Sequence, residues 1–576
     1  MKNVHFLFEQ FSQKSCKPEE VQRGERAAAY LLLILAVLLR IVYIFRYRFD
    51  SDEPQHLHVV WGWAHGLLQY RDVVDNHAPL FHLLCVPLYK IFGDNLNVLF
   101  AMRLAMLPLF IMVLWCTYLI GREIFSHRVG LWAAVFTGLF PLFFLCSVEF
   151  RTDNLWTALW LLAVTILIGG NLKVKKCFWV GFLLGAAMGV SMKTTLLLTS
   201  LAAGALATIL FSPDRYLSRY ALRRLLTYAF SMLAGFSVVP LILLLFFYYI
   251  KDIGPFFYGT IEHNVFPGLG LWHRFYVRAL IFPVSLAILY WFARIIGKNT
   301  AHEGQRSKRV FICFIGGIYF SALKAFWPVL EWQHYLPFYP LFVIILTPVV
   351  LRLLPLWILK PQSNEQLNHR FLGWSVPALI IFLEIVSILC CGEGAPWHNR
   401  TSRQMQLLSD VLQLTGPGDF VADLKGEMIF RQRSTYYILE IITRERIKRG
   451  LLVDDIPERL IATRTCVASR DSKKFPVRTR AFLRDNYLPV GSLRVAGKFL
   501  PPASEKNNSI SFDIQIPAQY VIISKNGPAA GTLDGTPYTG ACFLKGGHHE
   551  FRVSLTNDRF ALIWAKAQES GFSPFS

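Results

Sequence analysis

An acidic cluster follows the first long apolar segment of the sequence, and it is centred on Asp52 and Glu53. A carboxylate in such a position can accept the proton of a hydroxyl group, which is general-base chemistry. Closely spaced carboxylates can also hold a divalent cation. The same loop continues with three polar residues that could line a substrate cleft: Asp72, Asp75 and His77.

A second polar group stands between later apolar segments. It consists of the turn Glu149, Arg151 and Asp153, together with Lys193 further along the chain. Asp153 could cap the helix that follows it, or it could share a site with the first acidic loop. Lys193 could mark a turn between two apolar runs, or it could bind an anion such as a phosphate. The sequence leaves both pairs of alternatives open.

Further polar residues lie near the ends of other apolar segments, on the side of the predicted membrane that also carries the acidic cluster. Most of them are expected to be solvated or interfacial, and each is a candidate for contact with substrate. They are Arg103, Glu262, His263, His334 and Tyr335.

The composition shows what must position these residues. The 576-residue chain is 54% hydrophobic and only 17% charged, with a net charge of +21. Soluble domains carry about 25% charged residues, so the composition argues against a purely soluble enzyme. Lys and Arg sit in short clusters between apolar runs, which indicates membrane topology and argues against nucleic-acid binding. The cysteines follow no zinc or disulfide spacing.

A spanning helix needs roughly 20 apolar residues, and the sequence contains about eleven such runs. They lie near 27–46, 99–120, 129–147, 153–170, 177–191, 194–211, 224–250, 276–297, 310–327, 335–351 and 372–391.

Every second connection between the runs is basic, as in the cluster Lys173, Lys175 and Lys176. The positive-inside rule places these connections in the cytoplasm. The acidic loop, the turn at Glu149 and everything after residue 391 are then predicted outside.

After residue 391 the composition becomes that of a soluble protein. Helical stretches alternate with short apolar strands such as Phe420 to Leu424 and Leu460 to Ala468, which predicts an α/β domain. Turn signals such as Asn526-Gly527 and Asp534-Gly535 then separate strands, which predicts a small β-sandwich. The predicted organisation is a cytoplasmic segment 1–26, a transmembrane domain 27–391 with its first external loop at 47–98, an α/β domain 402–497 and a β-sandwich 498–568.

Several of these residues occur in the order of a known family's motifs. The motifs are Asp52-Glu53, Tyr70-Arg71-Asp72 with Asn76-His77-Ala78-Pro79-Leu80, Arg151-Thr152-Asp153, Met192-Lys193-Thr194 and His334-Tyr335-Leu336-Pro337. Together they resemble the bacterial branch of the protein mannosyltransferase and aminoarabinose transferase superfamily. These are membrane glycosyltransferases of the GT-C fold, in glycosyltransferase family 39 or close to it. The resemblance covers roughly residues 27–391.

The resemblance implies a helical, polytopic GT-C enzyme that transfers a sugar from a polyprenyl phosphate, with inversion at the anomeric carbon. Asp52 would be the general base and Glu53 its neighbour, while Asp153 would contribute to the same cleft. Lys193 would stabilise the departing phosphate, and Arg103 and His334 are weaker candidates for that role. The acceptor could be a lipid, a polysaccharide or a protein. The implied location is the bacterial inner membrane, with the N-terminus cytoplasmic and the site periplasmic.

Several other interpretations compete with this one. Asp50-Ser51-Asp52 also spells D-x-D, the metal-binding motif of enzymes that use nucleotide sugars, but those donors are cytoplasmic and this loop is predicted outside. A divalent cation bound by Asp50, Asp52, or Glu262 with His263 is compatible with the sequence, which does not require one. A membrane transporter or flippase, an oligosaccharide ligase and a non-catalytic envelope scaffold are the alternative functions.

Overall fold

A computed structural model describes residues 21–575, apart from 212–218, 267, 269–278, 300–302, 353–367, 391–394, 471–472, 503–507, 526–528 and 555–558. Most of the predicted segment 1–26 and the predicted turn at Asn526-Gly527 therefore lie outside the described residues. The chain divides into two compact units. The membrane unit comprises Met1–Arg48, Asn76–Cys85 and Phe100–Asn399, and the sheet unit comprises Phe49–Asp75, Val86–Leu99 and Arg400–Ser576.

Helices make up most of the described chain up to residue 390. They are α1 (Arg23–Arg46), α2 (Asp52–Ala64), α3 (Leu80–Phe92), α4 (Val98–Ala105), α5 (Leu107–Ile124), α6 (His127–Leu139), α7 (Pro141–Val148), α8 (Thr152–Ile168), α9 (Val174–Val190), α10 (Thr194–Phe211), α11 (Arg219–Tyr249), α12 (Ile253–Phe257), α13 (Ile281–Asn299), α14 (Glu303–Phe326), α15 (Tyr339–Arg352) and α16 (Asn368–Cys390). A π-helical turn covers Tyr258–Glu262 and a 3₁₀ turn covers Trp332–Tyr335.

The helices confirm a polytopic membrane protein. Within the described residues, five helical segments are long and apolar enough to cross a membrane, and the bent pair α6–α7 would make a sixth. Five shorter apolar helices accompany them. A helix overlaps each of the eleven predicted apolar runs, but the number that span the bilayer stays a prediction.

Local sequence explains the bend between α6 and α7, which is 62°. Pro141 opens α7, and Phe140 before it is extended, with a ψ of 114°. A residue before proline is driven out of the helical region, because the proline ring clashes with its backbone. The third apolar run is therefore broken at this position.

Close helix packing in the membrane unit depends on small residues. A Cβ atom at Gly181 of α9 would lie 1.9 Å from the Met232 carbonyl oxygen of α11, and one at Gly235 would lie 2.0 Å from the Phe178 carbonyl oxygen. Glycine therefore lets these two backbones touch, which is how membrane helices associate where the hydrophobic effect gives no driving force. This packing supports α9, the helix that ends just before the Lys193 turn.

The sheet unit contains the remaining helices and all the described strands. They are α17 (Ser402–Leu414), β1 (Phe420–Ala422), β2 (Gln432–Arg433), α18 (Ile441–Lys448), α19 (Ile456–Ala462), β3 (Val467–Ser469), α20 (Val477–Asn486), β4 (Tyr487–Val490), β5 (Leu493–Phe499), β6 (Ser509–Ile514), β7 (Ala518–Ser524), β8 (Gly531–Leu533), β9 (Thr536–Pro537), β10 (Cys542–Leu544), β11 (Gly547–Val553), β12 (Phe560–Trp564) and α21 (Ala565–Glu569).

One eight-stranded sheet has the order β10-β7-β12-β5-β3-β1-β2, with β4 also paired to β5. β1 is parallel to β2 and β3, and the other pairings of this sheet are antiparallel. A four-stranded antiparallel sheet has the order β6-β11-β8-β9. Buried side chains from both sheets, among them Tyr487, Phe512 and Leu562, share one apolar core.

This topology differs from the predicted division of the C-terminal region. The boundary at 497/498 falls inside β5, which pairs with β3 on one side and with β12 on the other. The two predicted domains therefore share one sheet. The predicted strand Leu460 to Ala468 is wrong over its first part, because Pro457 lies in the first turn of α19, which extends to Ala462. The strand itself starts at Val467.

Candidate active site

Asp52 is the first residue of α2, in the sheet unit, and the preceding loop folds tightly against it. The Asp52 amide donates to Asp50 Oδ1 at 3.1 Å, and the Asp50 amide donates to Glu53 Oε1 at 2.9 Å. Glu53 is fully buried, whereas the Asp52 side chain is 21% exposed. Of this acid pair, Asp52 is the one with a carboxylate that solvent can reach.

The direct partner of Asp52 is a residue that sequence reasoning missed. Lys425 Nζ lies 2.5 Å from Asp52 Oδ1 and 3.3 Å from Ser51 Oγ. The two charged residues are 373 positions apart. Lys425 stands in a short polar loop after β1, and nothing in the residues around it signals this contact.

Asp72 and Asp75 hold the loop that follows α2. Asp75 accepts from Gln55 Nε2 at 3.3 Å and from Gln69 Nε2 at 2.8 Å, and it is buried. Partial burial raises the pKa of Asp72, but hydrogen bonds from Arg71 and from the Leu68 amide outweigh it, so the pKa is lowered overall. Both carboxylates therefore shape this loop.

The membrane unit brings four of the predicted residues into one buried network. Lys193 Nζ lies 2.5 Å from Asp153 Oδ1, and Arg151 Nε lies 3.8 Å from Asp153 Oδ2. Arg151 Nη1 also donates to Glu149 Oε2 at 3.2 Å. Two carboxylates and two cations alternate here, so their formal charges cancel. This balance is what burial of charged groups requires.

Local structure fixes the positions of Asp153 and Lys193 in this network. Asp153 lies in the first turn of α8, where the helix dipole favours a negative charge. Lys193 lies in the turn between α9 and α10, and its ammonium is 5.2 Å from the centre of the Trp156 ring. Trp156 in turn donates to Thr194 Oγ1 at 2.9 Å. Lys193 therefore does mark a turn, and it is also buried against an acid.

His334 and Tyr335 lie on the 3₁₀ turn of the membrane unit. The His334 carbonyl accepts from the Tyr319 hydroxyl at 2.6 Å, and His334 Nδ1 accepts from the Glu331 amide at 3.4 Å. The imidazole interacts electrostatically with Asp153. Tyr335 is buried, with the ammonium of Lys324 at 5.2 Å from its ring centre. The structure thus adds His334 to the surroundings of the buried network.

Arg103 makes buried contacts near the end of α1, and its predicted contact with the phosphate stays a prediction. Its guanidinium is fully buried and donates to the carbonyl oxygens of Ile44, Tyr47 and Arg48 at 3.1, 2.8 and 2.6 Å. The Ile44 carbonyl lies in the last turn of α1, where the helix offers no partner, and those of Tyr47 and Arg48 follow directly after the helix. Arg103 therefore caps α1.

The remaining candidates of the membrane unit are His77, Glu262 and His263. His77 is half-buried, with its ring centre 6.5 Å from that of His82. Glu262 is exposed at the end of the π-helical turn, and His263 is buried with its ring centre 5.8 Å from that of Tyr258.

The donor sets do not favour a bound cation. Asp52 already faces an ammonium, and Asp50 Oδ1 accepts from a backbone amide. Across the described parts of the chain, no group of three or more His, Cys, Asp or Glu side chains is arranged to hold a metal ion.

Comparison with known proteins agrees with the fold. The family profile described as dolichyl-phosphate-mannose-protein mannosyltransferase matches residues 76–244. That range includes the buried network around Asp153 and Lys193, but it does not reach Asp52. No curated protein matches the chain significantly.

Solved structures match over most of the chain. ArnT from Cupriavidus metallidurans in the apo state superimposes with a TM-score of 0.55 at 12% identity, covering 82% of this chain and 97% of that chain. ArnT bound to undecaprenyl phosphate gives 0.54 at 13% identity, covering 82% of this chain and 98% of that chain. The GT-C fold and the resemblance predicted from the motifs are therefore confirmed.

Proposed function

We propose that this chain is a membrane glycosyltransferase that moves a sugar from a polyprenyl phosphate to a hydroxyl group outside the cytoplasm. The observation that carries the proposal is the partly exposed carboxylate of Asp52, held at the start of α2 by its own loop. The fold supports it, since the similar ArnT structure holds undecaprenyl phosphate. The acceptor is a lipid, a polysaccharide or a protein.

In the proposed reaction, the acceptor oxygen attacks the anomeric carbon as the bond to the phosphate oxygen breaks. Asp52 takes the hydroxyl proton, and the polyprenyl phosphate leaves with the bonding electrons. Attack opposite the leaving group inverts the anomeric centre. One base is sufficient, because a phosphate leaves without being protonated.

Negative charge grows on the phosphate as it leaves, and a nearby cation stabilises it. We assign this role to Lys193, whose ammonium Asp153 holds in place. Arg151 contacts the other oxygen of Asp153, and His334 interacts electrostatically with the same carboxylate. Arg103 stays a weaker candidate for this role, because three of its five N–H donors already bind backbone carbonyls. Asp72, Asp75, His77, Glu149, Glu262, His263 and Tyr335 remain proposed cleft residues. The proposed location is the bacterial inner membrane, with the N-terminus cytoplasmic and the site periplasmic.

The test uses membranes that contain the wild-type chain, Asp52→Asn or Asp485→Asn, each given polyprenyl phosphates that carry radiolabelled sugars. Asp485 is the matched control, because its side chain is 62% exposed and lies on α20. We expect wild type and Asp485→Asn to move the label off the lipid. Asp52→Asn should move the label off the lipid at least about 100-fold more slowly than wild type.

Equal transfer by all three chains would overturn the assignment of Asp52. If no labelled donor is consumed, the proposed function fails. Consumption of preassembled lipid-linked oligosaccharides alone would instead indicate a ligase, and movement of intact labelled lipid across the membrane would indicate a flippase.

A further inference from the structure

The loop that carries Lys425 is built by hydrogen bonds of its own. Asp423 accepts from the amides of Gly426 and Met428, both at 2.9 Å, and from Arg433 Nε at 2.7 Å. Asp423 is buried, so it replaces water as the partner of these donors. The loop over residues 423–429, here called the lysine loop, therefore has one defined conformation.

A second carboxylate fixes the backbone at Lys425 itself. Glu427 Oε2 accepts from the amides of Lys425 at 2.8 Å and Leu424 at 3.1 Å. Burial, and then the nearby charge of Asp423, raise the pKa of Glu427 to about 7. The main chain at Lys425 is thus held at a fixed place after β1.

The lysine loop packs directly on α2. Gly426 has a φ of +100°, and a Cβ atom there would lie 2.9 Å from Cβ of His58. His58 Nδ1 lies 2.8 Å from the Ile429 carbonyl oxygen, which gives the loop a second contact with the same helix. Only glycine combines this backbone conformation with so close an approach.

The charges around Asp52 show what Lys425 contributes. Asp50 and Glu53 lie beside Asp52 on its own segment, and the lysine loop adds Asp423 and Glu427, so the surroundings are strongly acidic. Two cations contact these carboxylates among the described ion pairs: Lys425 contacts Asp52, and Arg433 contacts Asp423. Burial lowers the pKa of His58, so this ring is neutral at neutral pH.

From these contacts we infer that Lys425 is a positioning residue for the carboxylate of Asp52, and that the C-terminal region thereby takes part in transfer. The inference rests on the proposed function. The ammonium holds the carboxylate through Oδ1 and so fixes its orientation on α2. It also favours the ionised carboxylate, the form that a general base needs.

A test independent of activity is zero-length cross-linking of the full chain in detergent with a water-soluble carbodiimide. An amide bond between the Lys425 amine and the Asp52 carboxyl should appear in peptide mass spectra. Lys566 and Asp419, whose charged atoms are 3.5 Å apart on exposed side chains, provide an internal positive control. A cross-link at the control pair without one at Asp52 would overturn the inference.

The functional test compares Lys425→Met, Lys425→Arg and Gly426→Ala by the pH dependence of kcat/KM. We expect Lys425→Met to move the acidic limb of the kcat/KM profile to higher pH by roughly 1 unit. A nearby opposite charge lowers a carboxyl pKa, and the variant removes that charge. Lys425→Arg should restore the limb. Gly426→Ala should reproduce the shift, since its new methyl group displaces the loop from His58.

The matched controls are Lys545→Met, an exposed lysine in the same unit, and Gly418→Ala, where an added Cβ would meet no atom within 4 Å. Both should keep the wild-type profile. A uniform loss in Lys425→Met, with no shift of the limb, would overturn the positioning role. A wild-type chain that turns over no donor refutes the proposed function. The cross-linking result then tests by itself whether Lys425 contacts Asp52.

Discussion

Each unit of the chain holds a carboxylate–ammonium pair with an N–O distance of 2.5 Å, and the two pairs differ in exposure. The side chains of Lys193 and Asp153 are 7% and 3% exposed. Those of Lys425 and Asp52 are 16% and 21% exposed. The same contact is therefore buried from water in the membrane unit and partly exposed to water in the sheet unit.

The difference separates what each pair can do. A buried pair has lost its hydration, so each charge depends on its partner and on neighbours such as Arg151. A partly exposed pair can open, because water replaces the lost partner at small cost. Asp52 is therefore suited to meet a reacting hydroxyl, whereas Asp153 is suited to hold a cation in a fixed place.

The largest effect on stability is expected when one charge of the buried pair is removed. Asp153→Asn or Lys193→Met leaves an unpaired buried charge, which typically costs about 3–5 kcal/mol. Thermal unfolding of the full chain in detergent measures this cost. The double variant should recover part of it, and a double variant that loses the sum of both single effects would contradict the coupling.

Arg103→Met should have the next largest effect. It leaves three carbonyl oxygens at the end of α1 without their donor, at about 1–3 kcal/mol for each buried group left unsatisfied. The same unfolding measurement applies, with Arg484→Met as the control because its side chain is 73% exposed. A stable Arg103→Met chain with reduced donor binding would instead support the predicted phosphate-binding role of Arg103.

A smaller effect should follow from removing Lys425. Because that pair is partly exposed, Lys425→Met should cost less than about 1 kcal/mol of folding free energy. Expressed as a free energy, the loss of kcat/KM for sugar transfer should be larger than the loss of folding free energy. The reverse order would make the pair structural, like the pair of Asp153 and Lys193.

The last expected effect is the pH dependence contributed by Glu427, which appears as a slope of stability against pH and not as a loss at one pH. The pKa of this carboxyl is raised to about 7 in the folded chain, so the folded state binds its proton more tightly than the unfolded state does. Stability should therefore fall as the pH rises from about 4.5 to about 7 and level off above that. Glu427→Gln should remove this slope from unfolding curves, and an unchanged slope would refute the assignment.

The sequence predicted what depends on local pattern. Apolar length located the helices, and the motifs around Asp153 and Lys193 indicated the fold. The Lys425 contact joins residues 373 positions apart, and the pairing of β5 with β12 crosses the predicted domain boundary. Arg103 could equally bind a phosphate or cap a helix end, because its residue type suits both. Tertiary packing determines which of these contacts form, and the local sequence pattern does not predict tertiary packing.

The most direct test of this account measures transfer and unfolding together for Asp52→Asn and Asp153→Asn. We predict that Asp52→Asn loses transfer by about 100-fold or more while it unfolds like wild type. Asp153→Asn should instead unfold at a clearly lower temperature. Wild-type transfer by Asp52→Asn, in a chain that folds normally, would contradict the central claim that Asp52 is the base.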